Sequence, residues 1–234
     1  DIPDFVAGGF TDVGITGYDL IRERRAKVVE LLDLRFGRTR LVLAAPESSG
    51  IKSAADLRSP VRVATEFPNL TIQYFEGRGI QAEVIRLTGA AEISPLIGVA
   101  DLITDVVETG YTLKAHGLKV VDVILESSAR LVANPESYRQ KREKIENLKM
   151  SLEAVVTARG RKLVLMNLPE DKLEQIKQIM PGMAGPTVSK VEAETPMVAV
   201  QAVVEDSEVA RVIREAKRIG ARDILVVPIE RIIP

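Results

Sequence analysis

Short apolar runs closed by Gly, Pro or small polar residues recur along the first part of the chain. Residues 12–17 (DVGITG) form one such run, ending in a glycine turn. Residues 28–34, 40–45 (RLVLAA, stopped by Pro46), 61–65, 83–87, 101–107, 120–126 and 129–133 read as further strands. Between them lie helical stretches. Residues 53–57 fit a short helix, and 70–79 an amphipathic helix closed by Gly77 and Gly79 with Asn69 as its cap. Residues 92–99 fit another short helix. Strands alternating with short helices predict α/β architecture with parallel sheets.

The pattern changes after Asn134. Residues 135–159 are charged, with Ile145, Leu148, Leu152, Val155 and Val156 at helical spacing and Gly160 as the stop. This predicts a helical linker. A compact unit follows: strand 162–168, helix 170–179, a turn with Pro181-Gly182 and Gly185-Pro186, strands 187–191 and 197–204, helix 207–219, and strand 223–228. That order is βαββαβ, the ferredoxin-like arrangement.

Composition narrows the chemistry. Lys and Arg total 32 against 33 Asp and Glu in 234 residues, so no global basic field exists for nucleic acid. Cysteine is absent, which removes disulfides, thiol nucleophiles and thiolate-bound metals. The single histidine, His116, excludes a multi-histidine metal site; it lies near a helix end, where it complements the dipole. No apolar run reaches the ~18 residues of a membrane span, and no signal-peptide pattern opens the chain. A cytoplasmic protein without a membrane partner is expected.

The strongest local signal is residues 105–113 (DVVETGYTL). An apolar strand ends in a turn of small and hydroxyl residues before a helix. Backbone N–H groups converge at such a turn, and the helix start and Thr hydroxyls favour an anion, best a monophosphate. Glu108, Thr109, Gly110, Tyr111, Thr112 and Leu113 are therefore the candidate phosphate cradle. Asp105 and Glu108 stand where ribose hydroxyls would follow. An ordinary strand–turn–helix junction accounts for the same residues. Residues 12–19 repeat a Thr-Gly turn, suggesting two lobes about one cleft. Residues 65–71 and 88–92 are further turns opening helices. Arg35, Arg38 and Arg40 cluster around Phe36-Gly37, suited to a phosphate or to solvent.

Taken together, residues 12–19, 36–46 (FGRTRLVLAAP), 64–75 (ATEFPNLTIQYF), 98–118 and 126–133 (ESSARLVA) resemble ATP phosphoribosyltransferase of the long, self-contained form. The C-terminal part resembles its histidine-binding, ACT-like domain through Gly185-Pro186-Thr187 and residues 224–234. The resemblance implies a two-lobed, periplasmic-binding-protein-like body. Lobe I would comprise 1–46 and 127–150, lobe II 47–126 with the phosphoribosyl pyrophosphate site, and the ACT-like domain 160–234. It implies transfer of phosphoribose to ATP N1 with Mg²⁺, as the first step of histidine biosynthesis. It places Asp105 at the ribose, with Asp105 and Glu108 catalytic, and ATP against Gly14, Thr16 and Gly17. Histidine would inhibit through the C-terminal domain, with Thr187 its best single contact, and dimers would associate into hexamers. Members of the family begin with a further strand and a Lys-Gly-Arg segment that nothing in this chain matches, so an incomplete lobe I is expected. His116 replaces a residue that is usually Asn there, which fits a non-catalytic role. A two-lobed binding or effector-sensing protein without catalysis is the alternative.

Overall fold

A computed structural model describes residues 1–183 and 185–233. Ala184 lies outside the described residues, as does Pro234, the last residue of both the ACT-like range and the 224–234 segment. The chain divides into two compact units, Asp1–Lys149 and Met150–Pro234.

The first unit holds two sheets. Strands β1 (Val13–Gly17), β2 (Val29–Asp33) and β8 (Ala129–Ala133) form a small antiparallel sheet in the order β1-β8-β2. Helices α1 (Ile2–Ala7) and α2 (Tyr18–Glu23) accompany it, and Val6, Ile21 and Val132 form its core. The larger sheet has the order β5-β4-β6-β3-β7, from β3 (Thr39–Pro46), β4 (Val61–Thr65), β5 (Ala82–Arg86), β6 (Leu102–Val107) and β7 (Leu118–Ser127). Strands β4, β5 and β6 run parallel, while β3 is antiparallel to both β6 and β7. The parallel α/β expectation is thus corrected to one mixed and one antiparallel sheet. An antiparallel strand enters because β3 starts from the small sheet and threads between two strands of the large one.

That threading also moves the lobe boundary. Residues 40–45 were expected in lobe I, yet every residue of β3 pairs with β7 and most with β6. The apolar run identified a buried strand without saying which sheet buries it. The chain passes from small to large sheet between Asp33 and Thr39, and returns at Ser128.

Helix α3 (Pro68–Glu76) covers one face of the large sheet. Tyr74 and Phe75 pack with Leu43, Val63 and Leu102, and Phe67 and Leu70 with Leu41. The Tyr74 hydroxyl donates to Asp122 (2.6 Å), and Arg78 lies over the Tyr74 ring while pairing with the same carboxylate. The opposite face is closed by α4 (Tyr111–Ala115), whose Leu113 packs with Val42, Ile103 and Val107. Residues 53–57 and 92–99 form only short 3-10 turns, at Ala54–Asp56 and Ala91–Ile93.

The charged stretch is two helices, α5 (Pro135–Gln140) and α6 (Arg142–Ala158), broken at Lys141. Asn134 caps α5 by accepting from the Glu136 and Ser137 N–H groups. The division between the units falls inside α6, between Lys149 and Met150. In the second unit β9 (Arg161–Pro169), α7 (Leu173–Ile179), β10 (Thr187–Val191), β11 (Met197–Glu205), α8 (Asp206–Arg218) and β12 (Arg222–Pro228) follow in the expected order. Their sheet order, β10-β11-β9-β12, is wholly antiparallel and ferredoxin-like. Val164, Met166, Leu168, Ile176, Val200, Val212 and Ala216 form its core. Leu225 and Val227 pair with Leu165 and Leu163 and remain exposed.

Gly14 shows how closely α1 sits on β1. A Cβ there would lie 2.8 Å from methyl carbons of both Ile2 and Val6. Gly14→Ala is expected to destabilise the first unit by about 1–3 kcal/mol through overpacking. Urea unfolding of variant and parent, at equal m-value, measures this.

Candidate functional site

The parallel strands β4, β5 and β6 end on one edge of the large sheet, where open α/β sheets bind ligands. Three loops gather there: Glu66-Phe67 after β4, Leu87 to Ala90 after β5, and Glu108 to Gly110 after β6. Gly89 approaches Glu66 closely, since a Cβ on it would lie 3.9 Å from Glu66 Oε1.

The loop after β6 has the geometry its sequence suggested. Gly110 caps α4 at φ +80° and ψ 6°, a left-handed conformation that other side chains rarely take. An added Cβ there would meet open space. The N–H groups of Glu108, Thr109 and Gly110 donate to no described residue, and that of Tyr111 reaches only the Thr109 hydroxyl at 3.5 Å. Glu108, Thr109 and Thr112 are exposed, and Tyr111 is 79% exposed. Leu113 departs from the expected role: its side chain is 2% exposed and belongs to the core. His116 ends α4, its Nδ1 donating to the Thr112 carbonyl at 2.9 Å.

Asp105 stands on β6 before the loop. Burial pushes its carboxyl above the ordinary value, and the Glu92 and Glu66 carboxylates push the same way, while the Val106 N–H (2.7 Å) pulls it back. Desolvation is therefore the leading cause. Asp105 thus belongs to an acidic corner with Glu66, expected in a turn, and Glu92, expected where a turn opens a short helix.

Beside Glu108 opens a cavity of about 480 Å³ where the chain crosses between the sheets. Arg38 and Arg40 from the start of β3, and Arg130 from β8, supply positive charge; Asp33, Glu108 and Glu126 oppose it. Arg38 and Arg40 were candidates from sequence, whereas Arg130 and Asp33 were not singled out. Arg130 pairs with Asp33 at 3.4 Å and lies 5.0 Å from the Tyr18 ring centroid. Burial raises the Asp33 carboxyl, but the Arg35 N–H, the Ser128 hydroxyl and the Arg130 charge outweigh it and hold it below its usual value.

Thr16 lies opposite Arg130 in the β1–β8 register, so both side chains share one face of the small sheet. Thr16 is 6% exposed, and its Oγ1 has no partner; neither has the buried Nε of Arg130. Gly17 precedes α2, and the Asp19 Oδ1 folds to within 2.2 Å of where its Cβ would be. Gly14 is different. Helix α1 fills its open side, so ligand approach there is closed and the glycine serves packing. Thr187 opens β10 in the second unit, exposed and paired with Gln201.

The expected cap of α3 is also corrected. Asn69 is its second residue, Phe67 holds the cap position without a side-chain bond, and the carboxylate of Glu23 takes the helix N–H groups instead. Among the described residues no helix is long and apolar enough to cross a membrane, and no group of three or more His, Asp or Glu side chains is placed to hold a metal ion.

Comparison with known proteins identifies the family. The family model described as ATP phosphoribosyltransferase (HisG) matches residues 1–154, and that of the HisG C-terminal domain matches residues 158–231. An ATP phosphoribosyltransferase of Methanothermobacter thermautotrophicus is 53% identical over 234 residues, covering 100% of this chain and 82% of the relative. One from Methanocaldococcus jannaschii is 52% identical over 237 residues, with the same coverage. The ATP phosphoribosyl transferase (HisG:HisZ) complex from Thermotoga maritima matches with a TM-score of 0.60 and 36% identity, over 65% of this chain and 74% of that one.

Asp105 offers a direct test of its environment. A carboxyl whose pKa is raised on folding stabilises the fold below its unfolded value near 3.8 and loses that contribution as pH rises through the folded value. Asp105→Asn removes the charge and keeps the acceptor for Val106. The melting temperature of the first unit is expected to rise above the parent's by about 2 °C at neutral pH, with the difference vanishing below the unfolded pKa. Calorimetry from pH 3.5 to 7.5 measures it.

Proposed function

The chain belongs to the ATP phosphoribosyltransferase family, and we propose that the cleft beside Glu108 and Arg130 is where its two substrates meet. The enzyme is a transferase of histidine biosynthesis: ATP and phosphoribosyl pyrophosphate yield N1-(5-phosphoribosyl)-ATP and pyrophosphate. A bond forms between adenine N1 and the ribose anomeric carbon as that carbon's bond to pyrophosphate breaks.

The observation that carries the site assignment is the row of unclaimed N–H groups at Glu108, Thr109 and Gly110, on a loop beside three arginines. The 5′-phosphate takes those N–H groups and the hydroxyls of Thr109 and Thr112, with Tyr111 and the Leu113 backbone completing the turn. The left-handed Gly110 presents the loop without a side chain in the way. Asp105 and Glu108 then face the ribose. As pyrophosphate departs, positive charge builds on the sugar, and carboxylates there stabilise it. Asp105 suits this role because its desolvated charge interacts strongly with a cation at close range.

The leaving pyrophosphate needs positive charge, and Arg38, Arg40 and Arg130 line the cavity to supply it. The family's reaction uses a metal ion, for which we assign Mg²⁺. Such an ion is bound mainly by substrate phosphates and water, with one or two protein carboxylates. Glu108, in the arginine-lined cavity, fits that donor set. Held there, such an ion would supply charge neutralisation of the leaving group. Adenine N1 is a neutral nucleophile of modest strength, so holding it in line supplies much of the acceleration. We place ATP against Thr16 and Gly17, where the unpartnered Thr16 Oγ1 and Arg130 Nε await acceptors.

We assign feedback by histidine to the second unit, with Thr187 a contact. That unit has its own core and its own family match, and the described residues lining the cavity beside Glu108 all belong to the first unit. The exposed Leu225 and Val227 suit contacts between copies, in dimers that associate into hexamers. The Thermotoga maritima relative is itself found in a complex. We assign the reaction to the cytoplasm.

Gly110→Val forces a branched side chain into positive φ and fills the cradle. It is expected to weaken phosphoribosyl pyrophosphate binding at least about tenfold, equivalent to 1.4 kcal/mol. Isothermal titration of the folded variant measures it; affinity within twofold of the parent defeats the assignment. Thr187→Val is expected to raise the histidine concentration for half-inhibition about tenfold, leaving the uninhibited rate unchanged. Initial rates against histidine decide it.

A further inference from the structure

Helix α3 starts without a cap of its own. Phe67 occupies the cap position with no side-chain acceptor, and Pro68 follows as the first helical residue. The next two N–H groups, of Asn69 and Leu70, have no acceptor within the helix. Leu70 is 5% exposed, so its N–H needs a protein acceptor.

That acceptor comes from the small sheet's side of the cleft. Glu23, the last residue of α2, is 6% exposed. Its Oε1 accepts from the Asn69 N–H and its Oε2 from the Leu70 N–H, each at 3.0 Å. The Asn69 side chain returns a third bond, Nδ2 donating to the Glu23 carbonyl at 2.8 Å. One carboxylate thus satisfies both N–H groups, in the orientation that a helix start favours for negative charge.

The lobes are also joined by the two chain crossings, at residues 34–38 and at Ser128, and by the Asp19 N–H of α2 donating to the Ser127 hydroxyl of β7 at 3.0 Å. The contact lies next to the site: Glu23 and Glu66 to Asn69 line one cavity of about 460 Å³, together with Arg86 to Gly89. Glu66, two residues before Pro68, is one of the carboxylates acting on Asp105.

We infer that Glu23 is a positioning residue for the transfer reaction: its carboxylate latches α3 to α2 and thereby fixes the angle between the lobes and the placement of the Glu66 loop. The inference rests on the cleft being the site of transfer. Neither lobe satisfies α3 alone, so opening the cleft exposes Glu23, Asn69 and Leu70 to water together. The latched arrangement is the one that presents Asp105, Glu66 and the arginine cavity to both substrates. Loss of the latch lowers the fraction of molecules in that arrangement, and apparent substrate affinity falls by the same fraction.

The chain contains no cysteine, so two introduced thiols are its only labelling sites. Lys27→Cys and Glu76→Cys put spin labels on exposed positions of the two lobes. In the full-length enzyme, Glu23→Gln replaces one acceptor oxygen by an NH₂ that faces a backbone N–H. It is expected to lengthen and broaden the distance distribution between the labels. It is also expected to raise KM for phosphoribosyl pyrophosphate about fivefold or more, with kcat changed less than twofold. Asn69→Ala removes only the third bond and should move both readouts the same way by less; it carries the test if Glu23→Gln does not fold. A role confined to stability would lower the melting temperature and leave the folded variants' distances and KM as in the parent. That result, in either folded variant, overturns the inference. If the parent enzyme forms no phosphoribosyl-ATP, the functional reading fails instead, while the distances still report on the latch.

Discussion

Asp33 sits where the chain first leaves the small sheet, and its carboxylate gathers both crossings. It accepts from the Arg35 N–H on the outgoing strand and from the Ser128 hydroxyl on the returning one, each at 2.8 Å, and it pairs with Arg130. Backbone bonds reinforce the junction: Leu34 N–H to the Ala129 carbonyl, and Ala129 N–H to the Phe36 carbonyl, both at 2.9 Å. Held together there, the crossings deliver β3 and β7 side by side, and these two strands pair along the whole length of β3. The cavity with its three arginines is the space left at that junction. The proposed site and the architecture therefore share the same few residues.

The second unit was legible because its signals are local. Alternation in β9 and β11 buries Val164, Met166 and Leu168 against Val200 and Val204, and the polar–apolar rhythm of α8 puts Val212 and Ala216 underneath. The loop after β6 was legible for a similar reason, since Gly110 advertises a turn that its φ requires. Where signals are not local, the reading failed. The run 40–45 is equally apolar whichever sheet it joins. Its place is decided by the path of residues 34–38, including positive φ at Arg35 and Gly37. Asn69 looked like a sufficient cap, so nothing pointed to a carboxylate 46 residues earlier. Arg130 and Asp33 lie far apart in sequence and meet only through strand register.

Two glycines illustrate the difference between a residue beside open space and one kept for packing. Gly14 and Gly110 both follow the rule that small residues mark close approach. Around Gly14 the approaching groups are Ile2 and Val6 of the same chain. Around Gly110 nothing approaches, and the loop's N–H groups are left without protein acceptors. The same residue type, inside strand β1 and in the loop after β6, thus has different roles, told apart by what fills the space beside it.

The small sheet is assembled from segments far apart in synthesis. Val13 of β1 pairs with Ala133 of β8, and β2 reaches the same strand. On a ribosome adding about 5–20 residues per second, the first helix and two strands wait on the order of ten seconds for their central partner. Everything between, the whole five-stranded sheet, emerges before that partner does. The large lobe can therefore collapse first and bring the two halves of the small one together, turning a costly long-range closure into a local one. The order of synthesis makes the loop after β6 an early structure and the cleft beside it a late one.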